Sequence, residues 1–191
     1  KMRKILEIGC GKKPYKGKED EEVIHLDKVK LDDVEVVWNL NNFPYPFQDN
    51  EFDEVIAFHT LEHLDNLVKT MEEIWRITKN GGIVKIKVPY AKSSNAFSDP
   101  THKYFFTTLT FDYWDEETEF GRDYYHQLET RAKFKVRKRE VHFSFPLLNT
   151  IYRLLEKIIG IKKSHPQIFE TLIDLFLIKP FEIYFELEVR K

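Results

Sequence analysis

The sequence lacks paired cysteines, an excess of either charge and any long apolar run. Its one cysteine, Cys10, cannot form an internal disulfide, and scarce cysteine is typical of a reducing compartment such as the cytoplasm. Lysine and arginine number 30 against 32 aspartate and glutamate residues, so we expect no basic field that would attract nucleic acid. No apolar run reaches the roughly 18 residues of a membrane span. These absences favour a cytoplasmic protein with neither a membrane span nor a nucleic-acid partner.

The residues that are present indicate one folded α/β domain. Hydrophobic residues make up 42% of the chain and aromatic residues 15%, which argues against disorder. Short apolar runs closed by polar residues predict strands of a parallel sheet covered on both faces. They are residues 4–8, a run ending at Asp27, residues 34–39, a run ending at Phe58, and residues 82–89. Alternating patterns predict two further strands, over 134–145 and 181–191.

One helix and two short connections are predicted among the early strands. Apolar residues at helical spacing follow Leu67, with Asp65 or Asn66 as the N-cap and Asn80-Gly81-Gly82 as the end. The connection after Gly9 is short and contains Pro14, so we expect a loop or a single turn there. The link from Asp27 to the third strand is too short for a crossover helix. It is either a tight excursion or a sign that one strand is wrongly assigned.

A glycine turn and an acid form the central constellation of the sequence. Gly9, Cys10 and Gly11 follow the first strand, and Asp27 ends the second. Glycine lets the backbone approach a ligand closely and allows positive φ, and ligands bind at this end of the strands in open α/β sheets. An acid there can accept hydrogen bonds from both ribose hydroxyls, so the pattern predicts a nucleoside site. Cys10 is expected to be a small buried residue rather than a nucleophile.

The spacing of the glycines favours S-adenosylmethionine (SAM) over a dinucleotide. A dinucleotide site requires a third glycine and a helix N-terminus facing the pyrophosphate, and the turn here continues as Lys12-Lys13-Pro14. SAM carries no phosphate and presents a sulfonium, an ammonium and a carboxylate. We expect Glu7 either to attract the cationic methionyl end or to brace the loop, and Lys12 or Lys13 to face the carboxylate. A nicotinamide oxidoreductase is disfavoured for the same reason.

Four segments in order resemble the class I SAM-dependent methyltransferases. They are LEIGCGKKP (6–14), the LD ending at Asp27, FPYPFQDNEFDEVIAFHTLEHL (43–64) and NGGIVKIKVP (80–89), and they look most like the small-molecule, type 11-like branch. The resemblance implies one domain over 1–191 with a Rossmann-like, mostly parallel seven-stranded sheet whose last strand is antiparallel, a cofactor-binding half (1–92) and an acceptor-side loop region (93–130). The sequence departs from the family in its reduced early helices and in a helical insertion (145–180) before the last strand.

The same resemblance assigns roles to particular positions. Gly9 and Gly11 would pass beneath the methionyl group and ribose, and Asp27 would hold the ribose hydroxyls. Asn39 and Leu40 would contact the adenine edge, where Asn39 replaces the usual acid. His59 would approach the methionyl group and the acceptor.

A second motif, DPTHKYFFT (99–107), is similar to one found in related enzymes, many acting on sugars or related metabolites. His102 is the first candidate for a general base because histidine titrates near neutral pH. Asp99 would orient it, and His59 is the alternative base. Asp99 and His102 could instead pin the loop, with His63 bracing the following helix. A metal cluster of His59, His63, Asp99 and His102 is a third reading, but no tight ligand spacing supports it, and we expect no metal.

Three further segments leave alternatives open. The aromatic residues between Tyr104 and Trp114 could wall an acceptor pocket or form core. Six basic residues between Arg131 and Arg139 form either an exposed face or an anion patch. Amphipathic helices predicted over 149–160 and 165–177 could serve as a lid, a homodimer interface or, ranked last, a membrane-surface element.

Together these observations predict a SAM-dependent methyltransferase that acts on a small-molecule acceptor, a sugar or related metabolite, by direct displacement. The alternatives are a tRNA or protein methyltransferase and a nucleoside-binding module without catalysis.

Overall fold

A computed structural model describes residues 2–144, 147, 149–151, 154 and 180–191. The helices predicted over 149–160 and 165–177 fall largely outside these residues. Within the described part of the chain, no helix has both the length and the apolar character that crossing a membrane requires.

One mixed sheet organises the described residues. Its strands are β1 (Arg3–Ile8), β2 (Glu21–Asp27), β3 (Val36–Val37), β4 (Phe52–Phe58), β5 (Thr78–Pro89), β6 (Lys133–His142) and β7 (Glu182–Arg190). The α-helices are α1 (Leu67–Ile77), α2 (Ser94–Ser98) and α3 (Glu119–Tyr124), and 3₁₀ turns cover Leu61–His63, Thr110–Trp114 and Tyr125–Leu128. The spatial strand order is β3-β2-β1-β4-β5-β7-β6. β7 is antiparallel to both neighbours, which confirms the predicted seven-stranded, Rossmann-like sheet.

The core lies on both faces of β1, β4 and β5. Ile5, Leu6 and Ile8 of β1 are fully buried, as are Val55 and Ala57 of β4. This is the burial expected of central parallel strands, whose continuous apolar runs the sequence displayed.

Both early connections are loops, as predicted for the first of them. Residues 9–20 contain turns and no helix. β2 and β3 pair in parallel at Leu26↔Val36 and Asp27↔Val37, so the link between them is a tight excursion. β3 is shorter than the predicted 34–39 because turns flank it on both sides. The Val34 amide donates to the Leu31 carbonyl (3.1 Å) before the strand, and the Asn42 amide donates to the Asn39 carbonyl (2.9 Å) after it.

The predicted end of α1 at Asn80-Gly81-Gly82 is wrong. Asn66 does cap the start, accepting from the Lys69 amide at 2.9 Å. The helix stops at Ile77 because Thr78 adopts an extended conformation, and its hydroxyl donates to the Ile74 carbonyl at 2.6 Å. β5 therefore begins at Thr78 rather than at Gly82, and its pairing with β4 shifts register between Phe52 and Glu54.

The segment over 93–130, predicted to lie on the acceptor side, is built around buried aromatic rings and a buried ion pair. Phe106, Phe111 and Trp114 are at most 3% exposed, which supports the core reading for these three rings. Asp112 is 1% exposed, and its carboxylate accepts from Arg139 at 2.5 and 3.2 Å.

The six basic residues of the Arg131–Arg139 run all meet acidic partners. The pairs are Arg131–Glu72, Lys133–Glu116, Lys135–Glu117, Arg137–Glu188, Lys138–Glu140 and Arg139–Asp112. Because each charge is matched, this face does not form the concentrated positive patch that an anion would need.

Candidate active site

A cavity of about 360 Å³ opens at the carboxyl ends of β1, β2 and β4. It lies where the strand order reverses between β1 and β4, the position at which open α/β sheets bind ligands. Its lining comprises Gly9, Asp27, Lys28, Trp38, Asn39, Leu40, Asn41, His59, Thr60, His63, Leu64 and Thr101. Five predicted site residues are thus brought together around one space, namely Gly9, Asp27, Asn39, Leu40 and His59.

Gly9 is required at its position for two reasons. Its φ is +66°, in the left-handed region that favours glycine, and an added Cβ would lie 2.4 Å from Thr60 Oγ1. The Thr60 hydroxyl is itself held by the carbonyls of Ile8 and Phe58, both at 3.1 Å. The bare backbone at the end of β1 is therefore fixed against β4. At Gly11 φ is also positive (+58°), but an added Cβ would meet open space.

Asp27 organises the two loops that border the cavity. One carboxylate oxygen accepts from the Gly11 amide at 3.0 Å, and the other accepts from the Val29 amide at 2.9 Å. A carboxylate oxygen has two lone pairs, so each oxygen retains one acceptor position for a ligand hydroxyl.

Glu7 and Cys10 do not line the cavity. Glu7 is 4% exposed, and it accepts from the Tyr15 amide at 2.7 Å, the contact expected of a residue that braces the loop. Burial raises the pKa of Glu7, although the Tyr15 hydrogen bond opposes the rise. Burial, together with the nearby Asp27 and Glu7 charges, raises the pKa of the Cys10 thiol to about 11. Cys10 therefore remains a neutral thiol at physiological pH.

Asn39 and Leu40 follow β3 on the side of the cavity next to Trp38. The Asn39 side-chain carbonyl accepts from the Asn41 amide at 3.0 Å, which leaves one lone pair for a ligand amine. The Trp38 indole N–H donates to the Asn42 carbonyl at 3.0 Å. The arrangement presents one aromatic ring, one apolar side chain and one amide, a combination suited to a nucleobase.

His59 is a strained residue held between two carboxylates. Its φ is +51°, which is uncommon for a residue with a side chain. Nε2 lies 2.9 Å from Glu182 Oε2 and Nδ1 lies 3.6 Å from Glu62 Oε1. The hydrogen bond to Glu182 and the nearby negative charge of Glu62 raise the pKa of His59 to about 9. An imidazole that is already cationic at neutral pH cannot accept a further proton as a general base.

Burial opposes ionisation of Glu182, but hydrogen bonds from His142 and His59 hold its pKa at about 2. Glu182 is therefore the anion that fixes the cationic ring of His59 at the start of β7.

The Asp99–His102 motif lies beside the cavity. Thr101 lines it, whereas His102 does not and its side chain is 8% exposed. Asp99 bonds to the Thr101 amide and hydroxyl at 2.8 and 2.6 Å, and its Oδ2 is 4.0 Å from His102 Nε2. Asp99 thus shapes the loop directly, and the predicted orientation of His102 by Asp99 remains a prediction.

Several lining residues were not anticipated from the sequence. Lys28, Trp38, Thr60 and Thr101 all reach the cavity from turns, where no periodic pattern identifies a side chain's direction. Of these four residues, Trp38 alone could have been predicted to line the cavity, because it directly precedes Asn39 at the carboxyl end of a strand.

The strand order, with a crevice at the carboxyl ends of the strands between β1 and β4, defines a Rossmann-like α/β fold. Residues 18–86 match a family model described as a methyltransferase domain. Over 86 residues the chain is 36% identical to an uncharacterized protein of Methanocaldococcus jannaschii, a match covering 41% of this chain and 37% of that protein. The matched part is thus little more than a third of the length of this curated relative.

Solved structures extend the similarity in fold to the whole chain. A SAM-dependent methyltransferase from Archaeoglobus fulgidus aligns with a TM-score of 0.58 and 20% identity, covering 98% of this chain and 86% of that one. The 1,6-didemethyltoxoflavin-N1-methyltransferase of Burkholderia thailandensis gives a TM-score of 0.53 at 11% identity, over 100% of this chain and 72% of that one. The [4+2]-cyclase SpnF gives 0.54 at 11%, over 99% and 75%.

The family match and the fold together confirm the predicted resemblance to class I methyltransferases. They also support an enzyme that uses SAM as its cofactor.

Proposed function

We propose that this chain binds SAM in the cavity at the ends of β1, β2 and β4 and transfers its methyl group to a small-molecule acceptor. The observation that carries the proposal is the convergence of Gly9, Asp27 and Asn39 on one cavity. The glycine backbone would face the methionyl chain of SAM, the carboxylate its ribose and the amide its adenine edge.

The proposed contacts use hydrogen-bond acceptor lone pairs that the protein's own hydrogen bonds leave unoccupied. Asp27 would accept from the ribose hydroxyls through the lone pairs that Gly11 and Val29 leave free. The adenine ring would lie between Trp38 and Leu40, with its amine donating to the side-chain carbonyl of Asn39. The methionyl group would cross the bare backbone at Gly9.

Methyl transfer from a sulfonium requires alignment more than it requires acid–base chemistry. The acceptor's lone pair forms a bond to the methyl carbon while the carbon–sulfur bond breaks, giving S-adenosylhomocysteine and the methylated acceptor, and a hydroxyl or ammonium-forming acceptor then releases its proton to water. The protein's contribution is to hold the two reactants in line and exclude water. His63 and Thr101 line the cavity without an assigned cofactor contact, and we place the acceptor beside them.

The surface charge favours a small acceptor over a macromolecule. The basic run on β6 is neutralised pair by pair, so it offers RNA no charged track. The toxoflavin-type methyltransferase among the structural neighbours acts on a small molecule by its own description, which is consistent with this choice.

A transfer assay tests the proposal, because SpnF shares this fold and is described as a cyclase. The chain is incubated with SAM labelled on its methyl group and, separately, with low-molecular-weight metabolites, total RNA and unfolded protein. We expect label in the metabolite fraction, and much less with Asp27→Asn. Label confined to RNA or protein would overturn the small-molecule assignment. Binding of S-adenosylhomocysteine without transfer to any pool would indicate a non-catalytic module.

A further inference from the structure

Three side chains beside the cavity form a compact group of metal-ligand atoms. Glu62 and His63 belong to the 3₁₀ turn after β4, and His102 belongs to the loop after α2. One potential ligand atom from each lies within 4.8 Å of the other two. The two histidine rings are in contact, with centroids 4.8 Å apart.

Glu62 lacks the partners that a buried carboxylate requires. It is 1% exposed, and neither oxygen has a hydrogen-bond partner among the described residues. His59 Nδ1 lies 3.6 Å from Oε1, beyond hydrogen-bond length. Burying a charge without hydrogen bonds is costly, so such a group calls for a missing ligand, and an ion is one of the few that would satisfy it.

Hydrogen bonds orient both imidazoles through Nδ1, and among the described residues neither Nε2 has a hydrogen bond, with Asp99 Oδ2 at 4.0 Å from His102 Nε2. His102 Nδ1 is 2.9 Å from the Ala96 carbonyl, which can only accept, so the proton resides on Nδ1. His63 Nδ1 is 2.9 Å from Thr101 Oγ1, and that hydroxyl already donates to Asp99 at 2.6 Å. Nδ1 of His63 is therefore also the donor. Histidines that bind metals are typically fixed in this way through the nitrogen that does not bind.

The backbone holds the two contributing segments together without help from a ligand. The Lys103 amide donates to the Glu62 carbonyl at 2.7 Å. The Tyr104 hydroxyl donates to the Asp65 carbonyl at 3.0 Å and accepts from the Leu67 amide at 3.2 Å. These bonds fix the His102 loop against the turn that carries Glu62 and His63.

We propose that Glu62, His63 and His102 bind a divalent transition-metal ion of the zinc class. Two imidazoles and one carboxylate suit such an ion, and three protein ligands leave a coordination position open. Because His63 lines the cavity, the open position would face it. There the ion would hold an oxygen of the acceptor, a role that rests on the proposed function, whereas metal binding itself does not.

This proposal replaces the expectation of a metal-free site and excludes His102 as a general base while the ion is bound. The sequence concealed the group because 38 residues lie between His63 and His102 and no short ligand motif spans that distance.

Zinc binding by the chain in the absence of cofactor tests the proposal. After treatment with EDTA and dialysis, calorimetry with ZnCl₂ and metal analysis should give one zinc per wild-type chain. Glu62→Gln, His63→Asn and His102→Asn should each weaken binding by more than the roughly 10–100-fold that losing an outer-shell partner costs. His126→Asn, at an exposed histidine, is the matched control and should bind as wild type does. Co²⁺ should give the absorption spectrum of a four- or five-coordinate site.

Zinc that binds substoichiometrically, or equally well to the three variants, would overturn the proposal. Circular dichroism and urea unfolding in the presence of EDTA show that each variant folds, and S-adenosylhomocysteine binding is measured separately. If wild type binds zinc but not S-adenosylhomocysteine, the metal site stands and the proposed function fails. If wild type binds S-adenosylhomocysteine but not zinc, the metal site is ruled out and the proposed function stands.

Discussion

The cofactor half and the acceptor-side segment hold their functional groups by different means. In residues 3–89, the site is set by the backbone of regular strands, with Gly9 packed against Thr60 and Asp27 receiving two amides. In residues 93–130, short helices and turns are held by individual side-chain contacts such as Asp112–Arg139 and Asp99–Thr101. The first region should therefore be intolerant of added bulk, and the second intolerant of a lost charge or hydrogen bond.

The largest expected effect is loss of stability from Asp112→Ala in the acceptor-side segment. Asp112 is 1% exposed and paired with Arg139, and removing one partner of a buried pair costs about 3–5 kcal/mol. Urea unfolding measures the change, with Glu117→Ala as control because its partner Lys135 is paired at the surface. Glu117→Ala should leave the free energy of unfolding nearly unchanged. A stable Asp112→Ala variant would show that the ion pair does not hold this segment.

In the cofactor half, Gly9→Ala should be the more damaging of two glycine substitutions. Both positions have positive φ, which costs a residue with a side chain about 1–2 kcal/mol. Only Gly9 has a neighbour, Thr60, within contact distance of the new Cβ, and overpacking adds about 1–3 kcal/mol. Unfolding free energies of Gly9→Ala and Gly11→Ala measure the difference. Equal losses would mean that close approach to Thr60 is unimportant.

Asp27→Asn should weaken cofactor binding more than it weakens folding. The amide retains one acceptor oxygen and replaces the other with a donor that faces the Gly11 or Val29 amide. Losing a charged hydrogen-bond partner costs about 1–3 kcal/mol, or roughly 5- to 150-fold in the affinity for S-adenosylhomocysteine. Calorimetry measures the affinity, and Asp33→Asn, at an exposed aspartate, is the control. Unchanged affinity would remove Asp27 from the ribose role.

The smallest effect concerns the Cys10 thiol. Burial and neighbouring carboxylates raise its pKa to about 11, so the reactive thiolate is scarce at neutral pH and increases until the pH passes that value. Alkylation of native protein by iodoacetamide should be slow at pH 8 and still rising at pH 10. A plateau reached near pH 9 would show that the turn does not shield this thiol.

The sequence predicted the sheet well because its strands are self-contained apolar runs. The boundary between α1 and β5 was wrong because the Thr78 hydroxyl ends the helix, three residues before the glycines that appeared to do so. The predicted β3 was too long because the turns on either side of it, closed by the Val34 and Asn42 amides, leave no trace in the hydrophobic pattern.

The cofactor side of the site was largely predictable and the acceptor side was not. Gly9, Asp27 and Asn39 follow strands in order, so topology alone brings them together. Glu62 and His102 meet only because the Lys103 amide reaches the Glu62 carbonyl, a contact between distant loops that periodicity and motif spacing do not encode.

The central claim is that the cavity recognises an adenosyl group attached to a methionyl chain rather than a dinucleotide. Calorimetric titration of the wild-type chain with S-adenosylhomocysteine and, separately, with NAD tests it most directly. We predict one-to-one binding of S-adenosylhomocysteine and at least tenfold weaker binding of NAD, a difference of about 1.4 kcal/mol or more. Equal affinities, or stronger binding of NAD, would contradict the account.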